Sequence, residues 1–133
     1  MQTPARTVLT DAEIVAFVAT RDLACSRRFY RDALGLELIE STEFADAYDA
    51  RGTQLRVTLG PGAAPAGHTV LGWRVPDVRA AIADLSAAGI PVLRFDAMEQ
   101  DEDGVWRAPG GSLIAWFADP DGNTLSLQQP PQR

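Results

Sequence analysis

The chain has 133 residues, of which 46% are hydrophobic and 23% charged, with a formal net charge of −6 and a single cysteine, Cys25. This length and composition are typical of one soluble domain whose core needs no disulfide, and no basic patch is present for nucleic acid or an anionic membrane. Because no apolar run is long enough to cross a membrane and no signal-peptide pattern opens the chain, we predict a cytoplasmic protein.

The first half of the chain predicts a strand, a helix and three more strands. After a polar stretch that runs to about Thr10, the apolar run 14–20 predicts a buried strand. Asp22 is a suitable N-cap for the helix that follows, and Gly35 suits its C-terminus. Further strands are predicted at 36–39, 43–50 and 54–59.

The second half predicts the same order of elements. It follows a linker at 61–67 that is rich in proline, glycine and alanine. A strand is predicted at 68–75, and a helix is predicted from Asp77 to a stop at Gly89. The remaining predicted elements are a short strand at 92–95, an acidic loop at 96–111 and two strands that flank the turn 119–123.

The two halves therefore predict an internal repeat. Equivalent positions are Val15 and Val70, Asp22 and Asp77, Gly35 and Gly89, Gly52 and Gly122, and Leu55 and Leu125. Each unit would bury its helix against one face of its sheet and leave the other face free. We predict a single domain over 1–133, with module one at about 12–60, a linker at 61–67 and module two at about 68–129.

Several short motifs recur at the ends of the predicted helices and in the last turn. They are Asp22-Leu23, Phe29-Tyr30, Leu34-Gly35, Val75, Asp77-Val78, Gly89-Ile90, Phe117 and Asp119-Pro120-Asp121-Gly122-Asn123. Together they resemble the vicinal oxygen chelate superfamily, the glyoxalase/bleomycin resistance protein/dioxygenase family. The resemblance implies an α+β fold in which two tandem βαβββ modules form an open, curved, eight-stranded, barrel-like sheet around a central cavity. It also implies a homodimer, whereas the activity stays open because this scaffold carries many functions.

Metal-using members of this superfamily carry His, Gln or Glu ligands on the first and last strands of each module. The equivalent positions here are Val15, Arg56, Val70 and Ser126, which do not form a ligand set for a divalent cation. His68 precedes Val70 by two residues, and it is the only histidine in the chain. We therefore predict no metal and no cofactor. A metal-dependent glyoxalase or dioxygenase is the alternative if this strand register is wrong.

Alternation along the predicted strands indicates which side chains face the cavity. In the last strand, Leu125 and Leu127 point to the core, so Ser126 and Gln128 point to the open face. The predicted ligand-binding residues are Val15, Phe17, Arg56, His68, Val70, Trp106, Ser126 and Gln128. An apolar floor with a few polar groups is typical of a small-molecule site.

Three of these residues have two interpretations each. Arg56 either clamps a carboxylate or phosphate or lies on a solvated edge. His68 is either a general acid or base or a surface residue at the end of the linker. Arg56 and His68 are the two candidates for catalysis. Trp106 either closes over a planar ligand as part of a lid, or caps its own sheet or a dimer interface. We predict that Trp73 and Trp116 are structural.

The function predicted by these features is metal-independent binding of a small organic molecule, in the cavity or in a dimer groove. The alternative is a metal-independent isomerase or lyase that uses His68 or Arg56 with Ser126. The sequence leaves open whether the chain is an enzyme, and it predicts no nucleic-acid or membrane partner.

Overall fold

The computed structural model describes residues 8–60, 62 and 64–132, and these form two four-stranded sheets. The first, sheet one, has the order β1-β4-β3-β2, and sheet two has the order β5-β8-β7-β6. The strands of sheet one are β1 (Val15–Thr20), β2 (Glu37–Ser41), β3 (Ala45–Ala50) and β4 (Thr53–Leu59). Those of sheet two are β5 (Thr69–Arg74), β6 (Trp106–Arg107), β7 (Leu113–Ala118) and β8 (Thr124–Gln129). The predicted fold of two tandem modules with open sheets is confirmed.

The helix of the first module is shorter than the pattern predicts. It begins after Asp22, whose side chain accepts a hydrogen bond from the Cys25 N–H (3.1 Å), and the α-helix α1 covers only Leu23–Arg27. The chain continues as a π-helical turn over Arg28–Ala33, where the Leu34 N–H donates to the Phe29 carbonyl (2.9 Å). A π-turn is a local i→i+5 departure inside a helical segment, so a pattern that predicts the helix does not predict the turn.

The helix of the second module matches its prediction. Helix α2 covers Val78–Ala87, and the Asp77 side chain accepts hydrogen bonds from the N–H groups of Arg79 and Ala80 (both 3.1 Å). Gly89 then adopts a left-handed conformation (φ 80°), which a glycine tolerates at a helix C-terminus.

The prediction of a strand at 92–95 is wrong. The second strand of this module is instead β6, which lies inside the segment predicted as an acidic loop and pairs with β7. The reason is local hydrogen bonding, because the Gln100 side chain accepts from the Phe95 N–H (2.7 Å) and donates to the Leu93 carbonyl (2.9 Å). These side-chain bonds satisfy backbone groups that a strand would pair in a ladder.

One core joins the two modules on the helix-covered faces of both sheets. Its largest fully buried side chains include Tyr30, Tyr48, Phe117, Leu55 and Leu125. Phe29 of the π-turn contacts Phe117 of β7, with ring centroids 6.3 Å apart. The helix-free faces of the sheets are left open, and these faces carry the predicted site.

The repeat is confirmed at the caps and the turns. Gly52 and Gly122 both have positive φ (94° and 86°) before the last strand of their module, and Leu55 and Leu125 are both buried. Within the described residues, no helix is long and apolar enough to cross a membrane. The cytoplasmic location stays a prediction.

Candidate functional site

The strand register brings five side-chain positions together on the open face of sheet two. Ser126 of β8 pairs with Gly72 of β5 on one side and with Trp116 of β7 on the other. Gln128 pairs with Arg74 in β5. Because directly paired residues point to the same face, these side chains share the face opposite to the buried Leu125, Leu127 and Phe117.

This face carries a cavity of about 290 Å³ whose lining includes Gly72, Arg74, Ser126 and Gln128. Gly72 keeps the floor open, because a Cβ atom at this position would collide with the Ser126 hydroxyl oxygen. The Gln128 amide donates to the Ser112 hydroxyl (3.4 Å). The floor therefore presents a hydroxyl and an amide side by side, and both can donate and accept hydrogen bonds.

Three aromatic rings form a wall beside this floor, and we call them the aromatic wall. They are Phe95, Trp106 and Trp116. The Trp106 and Trp116 ring centroids are 6.1 Å apart, and Phe95 meets Trp116 edge-on at 5.5 Å. All three are at least partly exposed, so the wall presents ring surface to solvent rather than filling the core.

The segment that carries the wall is held in place by side-chain hydrogen bonds. Arg94 donates to the carbonyls of Asp101 and Glu102 (both 2.6 Å), and Arg79 forms ion pairs with Asp101 (2.9 Å) and Asp103 (2.6 Å). Burial raises the pKa of Asp101, but hydrogen bonds from Val105, Arg79 and Asp103 outweigh this effect and lower the pKa below its usual value. Trp106 itself lies in the paired strand β6. These contacts favour the interpretation in which Trp106 caps its own sheet.

The open face of sheet one carries the site residues that were predicted in module one. Phe17 is 60% exposed and pairs with Arg56 in β4, while Val15 is 39% exposed. Arg56 is half-buried, and its side chain makes no hydrogen bond or ion pair with the part of the chain that the structure describes. Its guanidinium is therefore available to a ligand or to solvent.

A bulge changes the positions of His68 and Val70. Thr69 pairs with Thr124 and Leu71 with Leu125, so one residue of β5 has no partner in β8. Val70 consequently packs against the core, whereas strict alternation places it on the open face. His68 is exposed and precedes the strand, outside the ladder that carries Ser126. The predicted equivalence of Val15 in module one and Val70 in module two therefore also fails.

The residues at the predicted metal positions do not fit a divalent cation. Val15 and Val70 have no ligand atom, Ser126 is a neutral hydroxyl, and the positive charge of Arg56 repels a cation. Among the described residues, no group of three or more His, Cys, Asp or Glu side chains is placed to hold a metal ion.

Trp116 lies on the face of the candidate site and Phe95 contacts its ring, although neither was among the predicted site residues. The signal for Trp116 was present, because Phe117 shares the buried face of Leu125 and alternation then places Trp116 on the face of Ser126. Phe95 follows no such rule, since it lies in a segment without a strand.

Comparison with known proteins agrees with the fold. The Glyoxalase/Bleomycin resistance protein/Dioxygenase superfamily matches residues 12–127, so the chain belongs to this superfamily. A lactoylglutathione lyase from Agrobacterium tumefaciens is similar in structure, with a TM-score of 0.70 and 20% identity, and the match covers 89% of this chain and 92% of that one. No curated protein sequence matches the chain.

Two further solved structures are similar. A bleomycin resistance determinant encoded on the transposon Tn5 has a TM-score of 0.68 and 18% identity, and the match covers 90% of this chain and 98% of that one. A glyoxalase/bleomycin resistance protein from Catenulispora acidiphila has a TM-score of 0.67 and 22% identity, with the same coverage. At these identities the likeness shows the fold and not the activity.

Proposed function

We propose that this protein binds a small organic molecule with a flat, unsaturated part on the open face of sheet two. The observation that carries the proposal is the aromatic wall of Phe95, Trp106 and Trp116 beside Ser126. Exposed tryptophan rings next to a polar floor suit a ligand that stacks on a ring and hydrogen-bonds through one edge.

The binding is proposed to need no metal. Its support is the donor set, because the four equivalent positions supply two valines, an arginine and a serine. Arg56 lies on the other sheet, where it pairs with Phe17, so the ligand contact predicted for it is not part of this proposal.

The protein is further proposed to act as a homodimer. The support is the apolar surface that a single chain leaves exposed on sheet one and beside it: Ile14 is 78% exposed, Phe17 60% and Phe44 68%. Large exposed apolar side chains of this kind are typical of an interaction surface, and a second copy is the simplest partner.

The proposal is tested by calorimetric titration with planar heteroaromatic compounds of different charge, for example acridine, 9-aminoacridine and quinoline-2-carboxylate. For the compound that binds, Trp116→Leu should weaken binding by about tenfold, because it keeps apolar volume and removes the ring. Trp116→Phe is the matched control and should retain most of the affinity. The proposal is wrong if no compound in the panel binds, or if Trp116→Leu binds as tightly as the unchanged protein.

A second measurement tests metal independence on the same samples. Elemental analysis of the purified protein should show less than about a tenth of a metal ion per chain, and a chelator should leave the affinity unchanged. Near-stoichiometric zinc, nickel, iron or manganese would instead support the metal-dependent alternative. Turnover that survives chelation would favour the isomerase or lyase hypothesis over simple binding.

A further inference from the structure

Arg74 lies on the open face of sheet two, beside the polar floor of the proposed site. It is the last residue of β5, where it pairs with Gln128 of β8. The preceding residue, Trp73, points to the opposite face, because its ring stacks on the buried Phe117 with ring centroids 6.1 Å apart. Arg74 also lines the cavity on the open face, together with Ser126 and Gln128. The strand register and the cavity lining therefore agree on its position.

The guanidinium of Arg74 has no ion-pair partner among the described residues. Its side chain is exposed and makes no hydrogen bond within this part of the chain either. Two other arginines of the same module are held by partners, since Arg79 forms ion pairs with Asp101 and Asp103, and Arg94 donates to two backbone carbonyls. Arg74 differs from both, because its hydrogen-bond donors are available to a ligand.

The side chains that surround Arg74 on this face are neutral. Those that the strand pairing places on the open face include Gly72, Trp106, Ile114, Trp116, Ser126 and Gln128. None of these six carries a charge, so none of them competes with an anionic ligand for the guanidinium. The whole chain has a net charge of −6, which makes Arg74 a local positive site on an acidic protein. Charge complementarity therefore favours an anionic group on the ligand.

The spacing of the strands suits one molecule that contacts both Arg74 and the aromatic wall. Ser126 of β8 pairs with Gly72 of β5 on one side and with Trp116 of β7 on the other. Neighbouring strands lie about 4.8 Å apart, so β5 and β7 are separated by about 10 Å. Gly72 carries no side chain that would fill the space between them. A fused two-ring aromatic molecule with one acidic group can span this distance.

We propose that the ligand of the open face is a flat aromatic carboxylate and that Arg74 binds its carboxylate. The planar guanidinium can donate two parallel hydrogen bonds to one carboxylate, with the ring system extending over Ser126 toward Trp116. A carboxylate fits better than a phosphate, because one arginine leaves the second negative charge of a phosphate unpaired. This inference rests on the proposed function, since it names the chemical class of the ligand at the same site.

The test is a calorimetric titration of the full-length protein with naphthalene-2-carboxylate and naphthalene-2-carboxamide, which share a ring system and differ in charge. The carboxylate should bind about tenfold more tightly, and this advantage should shrink as NaCl is raised from about 0.1 M to about 1 M. The carboxamide reports on the proposed function, because it can stack on the wall without a charge. Equal affinities would refute this inference and leave the proposed function intact, whereas absence of binding by both compounds would refute both.

Variants assign the difference to Arg74. Arg74→Met keeps the apolar stem and removes the charge, so it should weaken binding of the carboxylate about tenfold and leave the carboxamide unchanged. Arg74→Lys restores the charge without the planar fork and should recover part of the affinity. Because Arg74 is exposed, an unchanged melting temperature is expected for both variants and shows that they fold.

Arg107→Met is the matched control. Arg107 is also exposed and its side chain has no partner among the described residues, but it pairs with Leu113, which packs against the core on the helix-covered face. The control removes the same net charge and should leave both affinities unchanged. The inference is wrong if Arg74→Met binds the carboxylate as tightly as the unchanged protein, or if Arg107→Met weakens binding equally.

Discussion

Asp119 is a buried carboxylate that connects the two modules. It accepts hydrogen bonds from the Tyr30 hydroxyl (2.7 Å), the Asn123 amide (2.8 Å) and the backbone N–H groups of Asp121 (3.0 Å) and Asn123 (2.9 Å). Burial, together with the charge of Asp119, raises the pKa of Tyr30 far above its usual value. The motif Asp-Pro-Asp-Gly-Asn therefore has a structural role that explains its residues without any catalytic function.

Tyr30 and Tyr48 offer a matched test of this role, since both are fully buried and their ring centroids are 6.1 Å apart. Tyr30→Phe should lower the free energy of unfolding by about 1.5–3 kcal/mol, the value of a hydrogen bond to a charged group. The Tyr48 hydroxyl has no hydrogen-bond partner among the described residues, so Tyr48→Phe should be neutral or stabilising. Urea denaturation measures the free energy of unfolding of both variants. Equal losses in the two variants would contradict this assignment.

The segment 93–105 is the element that positions the aromatic wall. The Gln100 side chain makes three hydrogen bonds to backbone groups, with Phe95, Leu93 and Gly104 (2.7, 2.9 and 2.8 Å). Its amide is partly buried, whereas the Arg79 ion pairs with the same segment are exposed to solvent. Partly buried bonds of this kind constrain a segment more than exposed ion pairs do.

Gln100→Ala should therefore release the segment. We expect faster amide hydrogen exchange over residues 95–105 and weaker binding of the planar ligand, because Phe95 and Trp106 lose their fixed positions. The control is Arg79→Ala, which should change exchange only slightly, since exposed ion pairs are worth about 0–1 kcal/mol. If Arg79→Ala has the larger effect, the ion pairs and not Gln100 hold the wall.

Asp121 connects the turn before β8 to the end of β1. Its carboxylate accepts a hydrogen bond from the Arg21 N–H (2.9 Å) and lies 3.3 Å from the Arg21 guanidinium. Burial raises the pKa of Asp121, but contacts with Thr20 and Arg21 outweigh burial and lower the pKa below its usual value. A lowered pKa in the folded state stabilises the protein above the unfolded pKa of about 3.9, and this contribution is lost as the pH falls through the folded value.

The pH dependence of stability should show this link. Between pH 7 and pH 5, Asp121→Asn should be less stable than the unchanged protein, and this difference should shrink as the pH falls below the unfolded pKa of about 3.9 and toward the lower folded value. The measurement is a series of urea midpoints from pH 3 to pH 7. A constant difference in midpoint over the whole range would mean that the charge of Asp121 does not contribute.

At the scale of the whole molecule, the main question is what covers sheet one. Phe17→Asp should convert the proposed homodimer to a monomer, because it replaces a large exposed apolar ring with a charge. Ala83→Asp adds the same charge on the exposed side of α2 and should leave the dimer intact. Light scattering after size-exclusion chromatography measures both masses. A monomeric unchanged protein would contradict the proposal.

Much of this molecule follows from the sequence because the signals are local. The caps Asp22 and Asp77 and the left-handed glycines Gly35 and Gly89 lie at the ends of both helical segments. N-caps and left-handed C-terminal residues depend on one residue and its near neighbours, so they can be read from spacing alone. Alternation in β8 likewise places Ser126 and Gln128 correctly on the open face.

Other features depended on contacts that residue spacing alone does not show. The bulge in β5 shifts Val70 to the core, and only the pairing with β8 shows it. The π-turn, strand β6 and the place of Phe95 depend on where Gln100 and Phe29 find hydrogen-bond partners. The sequence by itself therefore determined the family, the repeat and the polar face of the last strand. Tertiary structure decided which rings surround that face, because packing and hydrogen bonds between segments outweigh local preference there.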